Sequence, residues 1–220
     1  MRLSSIWEND AFDVLGRAET RLRRVLGKDT QRYPDFDIRL KVADCEDMDA
    51  WSTDWVSLRE EGRHRFFWPE RYQMMRDDPH LRGRAALVSM YSHGELCGLA
   101  DFVHSPHDRT LYFLQTESRP GQHGLRGAVT YAGLQLALEM ARMSESGNIG
   151  VVGPFYSESQ QQRYEAVGFK ALTDPNIMTC PVIPAMAGFN YRAYKDPKAY
   201  FASPTDDQDH QLDLATDLDN

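Results

Sequence analysis

Cysteine is scarce in this chain of 220 residues, and Cys45, Cys97 and Cys180 are odd in number and far apart. No disulfide framework follows from them, and without a CxxC pair they do not suggest a zinc knuckle. They read as reduced thiols in or near a core. Positive charge is also short, with 25 Lys and Arg against 33 Asp and Glu and a net charge of -8. Binding to phosphate backbones normally needs a basic surface, so nucleic acid is not an expected partner. No apolar run is long enough to span a bilayer, and the opening MRLSSIWEND lacks the unbroken apolar stretch of a signal peptide. The chain therefore reads as soluble and cytoplasmic, with no membrane partner. No internal repeat is evident. Much of the acidic excess lies in Asp206, Asp207, Asp209, Asp213, Asp217 and Asp219, a tail without Lys or Arg, so the remainder is closer to neutral.

What is present is ample apolar content, 41%, in a length that suits one domain with additions. Residues 4 to 27 place Ile6, Trp7, Phe12, Val14, Leu15, Leu22, Val25 and Leu26 at approximately helical spacing, with Gly16 as a break between two helices if there are two. QRYPD interrupts the pattern, because Pro34 lacks a backbone donor and disfavours helix before it. FDIRLKV (36–42) alternates as a half-buried strand does. Asp44 suits the N-cap of a helix carrying Met48, Trp51, Trp55, Val56 and Leu58 and ending at Gly62. The connector RHRFFWPE is aromatic and basic, and reads either as the lining of a pocket or as an apolar plug. Pro69 then opens another helix.

RAALVSM and ELCGLADFV, joined by YSHG, form a hairpin, and HSPHDR turns the chain into TLYFLQTE, completing a three-strand meander. His104 and His107 read as a solvated turn, and no metal site is expected. From Thr110 the order changes to strand, glycine-bearing loop (SRPGQHGLRG), long apolar helix (AVTYAGLQLALEMARM), short strand (IGVV) and SESQQQRYEAVGF. A crossover of this kind joins parallel strands, so the sheet is expected to be mixed. A strand that turns through glycines into a helix can receive an anion on backbone N–H groups and the helix's positive end.

The order of elements and the stretch Tyr164-Glu165-x-x-Gly168-Phe169 resemble the GNAT superfamily of acyl-CoA-dependent N-acyltransferases over roughly residues 37 to 182. Members usually carry Arg/Gln-x-x-Gly-x-Gly/Ala at the start of the long helix; here Arg119 and Gly124 fit, while Gln122 stands at the middle glycine. Ser157 stands where Asn is commonest. The resemblance implies an α/β (α+β) fold with a mixed, mostly antiparallel sheet flanked by helices. Residues 1–35 then form a helical extension, 36–182 the catalytic domain, 183–204 an aromatic packing segment and 205–220 an acidic flexible tail.

The implied reaction is transfer of an acyl group from acetyl-CoA or another acyl-CoA to the amine of a small molecule or peptide, by direct attack in a ternary complex. The resemblance assigns the donor to Thr116, Arg119, Gly121, Gln122, His123, Gly124, Leu125, Arg126, Gly127 and Ser157, and makes Tyr164 the acid for the leaving thiolate. The base has no motif. Glu117, ending the strand that feeds the loop, is the first choice, because partial desolvation there raises a carboxyl toward neutrality; Asp101 is the alternative. Acceptor contacts fall on Arg63, His64, Trp68, Tyr72 and Asp101. An acyl carrier protein as donor, or a non-catalytic module that binds CoA or a partner, are the other readings left open. The aromatic segment after Cys180 packs back on the domain or on a second copy in a homodimer.

Overall fold

The computed structural model describes residues 11–55, 66–153, 158–185 and 188–197. Helix α1 (Ala11–Leu26) buries Val14, Leu15, Ala18, Leu22 and Leu26, an apolar stripe at helical spacing. It runs unbroken through Gly16, around which there is open space, and Thr20 Oγ1 donates to the Gly16 carbonyl at 2.9 Å. Strand β1 (Arg39–Val42) is shorter than its alternating pattern. Asp44 caps α2 (Cys45–Ala50) in a reciprocal box with Asp47, and the helix continues as a π-helical turn, Trp51–Trp55. Helix α3 (Trp68–Asp77) has proline in its first turn, where a missing N–H is harmless.

The meander consists of β2 (Ala85–Ser92), β3 (Glu95–Ser105) and β4 (Thr110–Ser118), antiparallel throughout. The crossover helix α4 (Val129–Met143) takes up the apolar run from its second residue, with Ala128 as N-cap and tight turns in the residues before it. It leads to β5 (Asn148–Val152), α5 (Glu158–Ala166), β6 (Lys170–Ala171), β7 (Ile177–Pro181), α6 (Val182–Ala185) and α7 (Tyr191–Lys195). The seven strands form one sheet in the order β1-β2-β3-β4-β5-β7-β6, with only the β4–β5 pair parallel among the described strands.

The two faces of the sheet carry different cores. Leu40, Val88, Met90, Ala100, Phe102, Leu111, Phe113, Ile149 and Val151 pack beneath α1 and α4. Trp51, Trp55 and Trp68 from the α2 and α3 region cover Leu87, Leu96 and Leu99 on the other face. Two sequence expectations change here. His104 is not in a solvated turn but in β3, and it is buried. Cys45 is exposed, at the first position of α2, whereas Cys97 and Cys180 are buried.

The C-terminal segment folds back on the same chain. The Phe189 carbonyl accepts from Tyr131 Oη and from Gln135 Nε2 (3.0 Å), and the Tyr191 ring meets Tyr131 at 4.9 Å. Helix α1 also packs on α4, so the helical extension and the C-terminal segment together cover the outer side of the crossover helix. This explains why a helix apolar on more than one face stays out of water.

The Tyr-Glu-x-x-Gly-Phe stretch has a backbone reason of its own. Phe169 N–H donates to the Tyr164 carbonyl (3.1 Å), Gly168 N–H donates to the Glu165 carbonyl (3.0 Å), and Gly168 has φ +97°. These are the two bonds and the left-handed residue of a Schellman cap, and its usual apolar contact is present as the Tyr164 and Phe169 rings at 5.8 Å. Replacing Gly168 with alanine is expected to cost about 1–2 kcal/mol of stability, the strain of a side chain in the left-handed region. Urea denaturation checks this; an unchanged midpoint would mean that the cap carries no such strain.

Candidate active site

Four residue pairs, Thr110–Asn148 to Phe113–Val151, hold β4 and β5 together. Beyond Phe113 the strands part. Leu114 is a bulge, since Phe102 faces Phe113 while Asp101 faces Gln115, and a bulge bends the strand that carries it. β4 then runs on to Ser118 paired only with β3. β4 thus loses β5 as a neighbour just before the glycine loop.

Arg119 N–H closes the end of β4 by donating to the Cys97 carbonyl at 2.9 Å, and its guanidinium pairs with Glu95 at 2.8 Å. Gly121 takes φ +84° in open space, and the Gly121, Gln122 and Gly124 N–H groups donate to no acceptor among the described residues. Gly124 is a packing glycine: a Cβ there would meet Ser92 Oγ at 2.2 Å. Leu125 sends its side chain into the core. Its N–H donates to His123 Nδ1 (3.3 Å), which makes Nδ1 the unprotonated nitrogen, and Nε2–H donates to Ser118 Oγ (2.9 Å). Burial, with Arg119 and Arg126 close by, holds this imidazole below its ordinary value, so it is neutral at pH 7. α4 begins at Ala128 with no side-chain cap and no acidic residue in its first turn. Its positive end is thus left to whatever anion approaches the loop.

Glu117 is buried and accepts a hydrogen bond from Trp68 Nε1. It lies opposite Leu99 and on the α3 face, as does Gln115 opposite Asp101. Trp68, named above as an acceptor contact, is itself fully buried, because the first turn of α3 presses it against Leu99 and the other tryptophans. Asp101, also named for the acceptor, is 1% exposed and receives two bonds from Arg71, Nε to Oδ2 at 2.6 Å and Nη2 to Oδ1 at 3.2 Å. Burial pushes this carboxyl above its ordinary value against the opposing pull of the guanidinium. Tyr72 is half-buried with Arg76 over its ring at 5.7 Å, lining a recess with Val42, Met75 and Leu87. Arg71 is the residue that sequence reading missed; the only signal was a basic residue three positions after Trp68.

Thr116, on the opposite side of β4, is half-buried and donates to the Leu99 carbonyl at 3.0 Å. Tyr164 lies on that same α4 side, buried against Phe169 and Tyr194 (6.4 Å), and burial raises its phenol well above the ordinary value. Tyr164 and Glu117 are therefore on opposite faces, with the parted strands between them. Arg63, His64 and Ser157 lie outside the described residues.

No protein-family model and no curated protein matches the sequence. Solved structures do match the fold. The spermidine N-acetyltransferase SpeG chimera from Vibrio cholerae and hSSAT superposes with a TM-score of 0.52 at 14% identity, over 69% of this chain and 99% of its own. RimJ of Mycobacterium smegmatis, solved with CoA-disulfide, gives a TM-score of 0.51 at 14% identity, over 69% of this chain and 85% of its own. The chain has the GNAT fold. Within that GNAT fold the atypical position is Gln122, which is exposed on the loop, and the glycines with positive φ are Gly121 and Gly127 on either side of it. Among the described residues no helix is long and apolar enough to cross a membrane.

Proposed function

We propose that the protein is an N-acyltransferase that takes an acyl group from acyl-CoA and gives it to a primary amine. The observation that carries this reading is the parting of β4 and β5 after Phe113 beside an uncapped helix start and a glycine loop in which the Gly121, Gln122 and Gly124 N–H groups meet no acceptor among the described residues. These residues fit CoA: the loop amides from Gly121 to Gly124 and the start of α4 suit its diphosphate, Arg119 and Arg126 supply positive charge, and the edge of β4 that β5 leaves unpaired suits an extended arm. The CoA found with RimJ, a protein of the same fold, supports the choice of donor.

Bound acyl-CoA supplies an activated thioester. Glu117, desolvated on the α3 face, accepts the proton of the attacking amine. The amine nitrogen forms the new C–N bond as the C–S bond breaks, and the Tyr164 hydroxyl gives the sulfur its proton, to be restored from water. A phenol raised by burial stays protonated at working pH and is ready as a donor. The acceptor side belongs to α3, with Tyr72 and the flanking connector.

Calorimetry with CoA, followed by thiol release from acetyl-CoA over a panel of polyamines, amino acids and peptides, tests the reading. Saturable CoA binding and amine-dependent release are expected; no CoA binding would overturn it. Tyr164→Phe keeps the Schellman cap, whose bonds use only the backbone, and is expected to lower kcat about 10-fold to 100-fold with KM little changed. Full turnover in that variant would remove Tyr164 as the acid.

A further inference from the structure

The QRYPD segment, which precedes the GNAT-like core in sequence, reaches the phosphate loop. Gly127 has φ +78°, and the place its Cβ would occupy lies 2.2 Å from Arg32 Nη2. A glycine is thus found where the loop makes room for a guanidinium that comes from outside the core domain. The segment around Arg32 is fastened on both sides. Tyr33 Oη donates to the Arg126 carbonyl (3.3 Å) and meets the Tyr191 hydroxyl (3.4 Å), and the Arg32 and Tyr33 N–H groups both donate to the Asp29 carbonyl, at 3.0 and 2.8 Å. The Asp29 carboxylate is occupied by Lys195 at 2.8 Å. Among the described residues no carboxylate lies within ion-pair distance of Arg32, although Lys195 first and Arg32 to a lesser degree hold the Asp29 carboxyl below its ordinary value; the guanidinium stands 5.8 Å from the Tyr33 ring centre.

We infer that Arg32 is a donor-binding residue, one that contacts the phosphates of the nucleotide half of CoA and so adds to the loop a cation supplied by the N-terminal extension. The inference rests on the acyl-CoA reading above. Three features meet at one place: a helix start with no side-chain cap or acid, a left-handed glycine packed against the guanidinium, and a backbone anchor that holds the segment to Arg126. A guanidinium beside Gly127, two residues before α4, stands near the helix's positive end, so an anion bound there is held by both. It also gives the N-terminal extension a part in choosing the donor. A free CoA carries phosphates out to this rim, whereas a carrier-bound phosphopantetheine ends in the protein and lacks the adenosine-borne ones.

Calorimetry of CoA binding to the full chain, wild type against Arg32→Gln and Arg32→Lys, tests this. Glutamine keeps most of the side chain's length and loses its charge, and thermal melts of all three proteins report whether folding is intact. Arg32→Gln is expected to bind CoA about tenfold more weakly and with a smaller dependence of log Kd on log salt, while Arg32→Lys stays within about threefold of wild type. If both variants bind as wild type does, or both weaken alike, charge at Arg32 plays no part and the inference falls. If the wild type binds no CoA, the acyl-CoA reading itself is lost and the inference with it.

Discussion

Replacing Glu117 with glutamine is expected to lower kcat/KM for an amine acceptor by about 10²-fold to 10⁴-fold, the usual contribution of a positioned general base. The substitution is isosteric, and Trp68 Nε1 can donate to the new amide oxygen as it donates to the carboxylate now. A fall in rate with an unchanged urea midpoint separates a chemical role from a structural one. The pH profile sharpens the test. A carboxylate base works only when ionised, so in the wild type kcat/KM falls as the pH drops through the Glu117 pKa. The variant has no proton to gain there, and that acidic limb should vanish from its residual rate. An unchanged limb in Glu117→Gln would assign it to another group. CoA affinity should be nearly the same in both proteins, because Glu117 lies on the α3 face and the donor loop follows the end of β4.

The second large effect belongs to Arg71. Its side chain is 18% exposed and its partner Asp101 1% exposed, so truncating Arg71 to alanine leaves a carboxylate out of water with its bidentate partner gone. A loss of about 3–5 kcal/mol is expected at pH 8, measured by urea denaturation. The sign of the pH dependence follows from linkage. The Asp101 carboxyl is already raised in the folded protein, so the folded state holds its proton to higher pH than the unfolded state, and this group's ionisation costs stability as pH rises above the unfolded value. Without Arg71 the folded pKa rises further, and the window in which the folded variant binds the extra proton widens upward. The deficit of Arg71→Ala relative to wild type should therefore shrink as pH falls from 8 to 5. A deficit below about 1 kcal/mol, or one that does not change with pH, would show that the pair contributes no more than an exposed ion pair does. Asp101→Asn in the Arg71→Ala background removes the buried charge and should restore much of the lost stability.

The acceptor face gains definition from these two residues together. α3 reaches two buried carboxylates of the sheet, Glu117 through Trp68 and Asp101 through Arg71. Asp101 is bound by a permanent cation, and Glu117 accepts from the Trp68 indole N–H. A general base must be able to take up a proton during turnover. Both Asp101 oxygens are already engaged by Arg71, which leaves Glu117 the first choice of the two.

The glycine loop shows how far pattern alone carries. Three glycines before a long apolar helix announce an anion cradle in the sequence, and Gly121 and Gly127 do take positive φ. The sequence does not distinguish them from Gly124, which has a different reason to lack a side chain: Ser92 of the neighbouring hairpin stands against it. That contact joins residues 32 positions apart in the chain, and no local spacing reports it. The same limit applied to Cys45 and His104. Residue type and neighbours suggest a thiol near the core and an imidazole in a turn, whereas the packing of α2 leaves Cys45 exposed and the length of β3 takes in His104.

Local regularities were sufficient for the element order, the meander followed by a crossover, the Asp44 cap and the Tyr164 to Phe169 helix end, because each rests on periodicity or on bonds between residues within a few positions. Tertiary structure alone determined where β4 and β5 part, that Arg71 engages Asp101 and Trp68 engages Glu117, and that Arg32 and the C-terminal tyrosines converge on the start of α4. Those pairings span 30, 49 and, for Tyr33 with Tyr191, 158 positions. They arise from the twist of the sheet and the way helices cover its two faces, and a single chain of residue types carries no local signal for them.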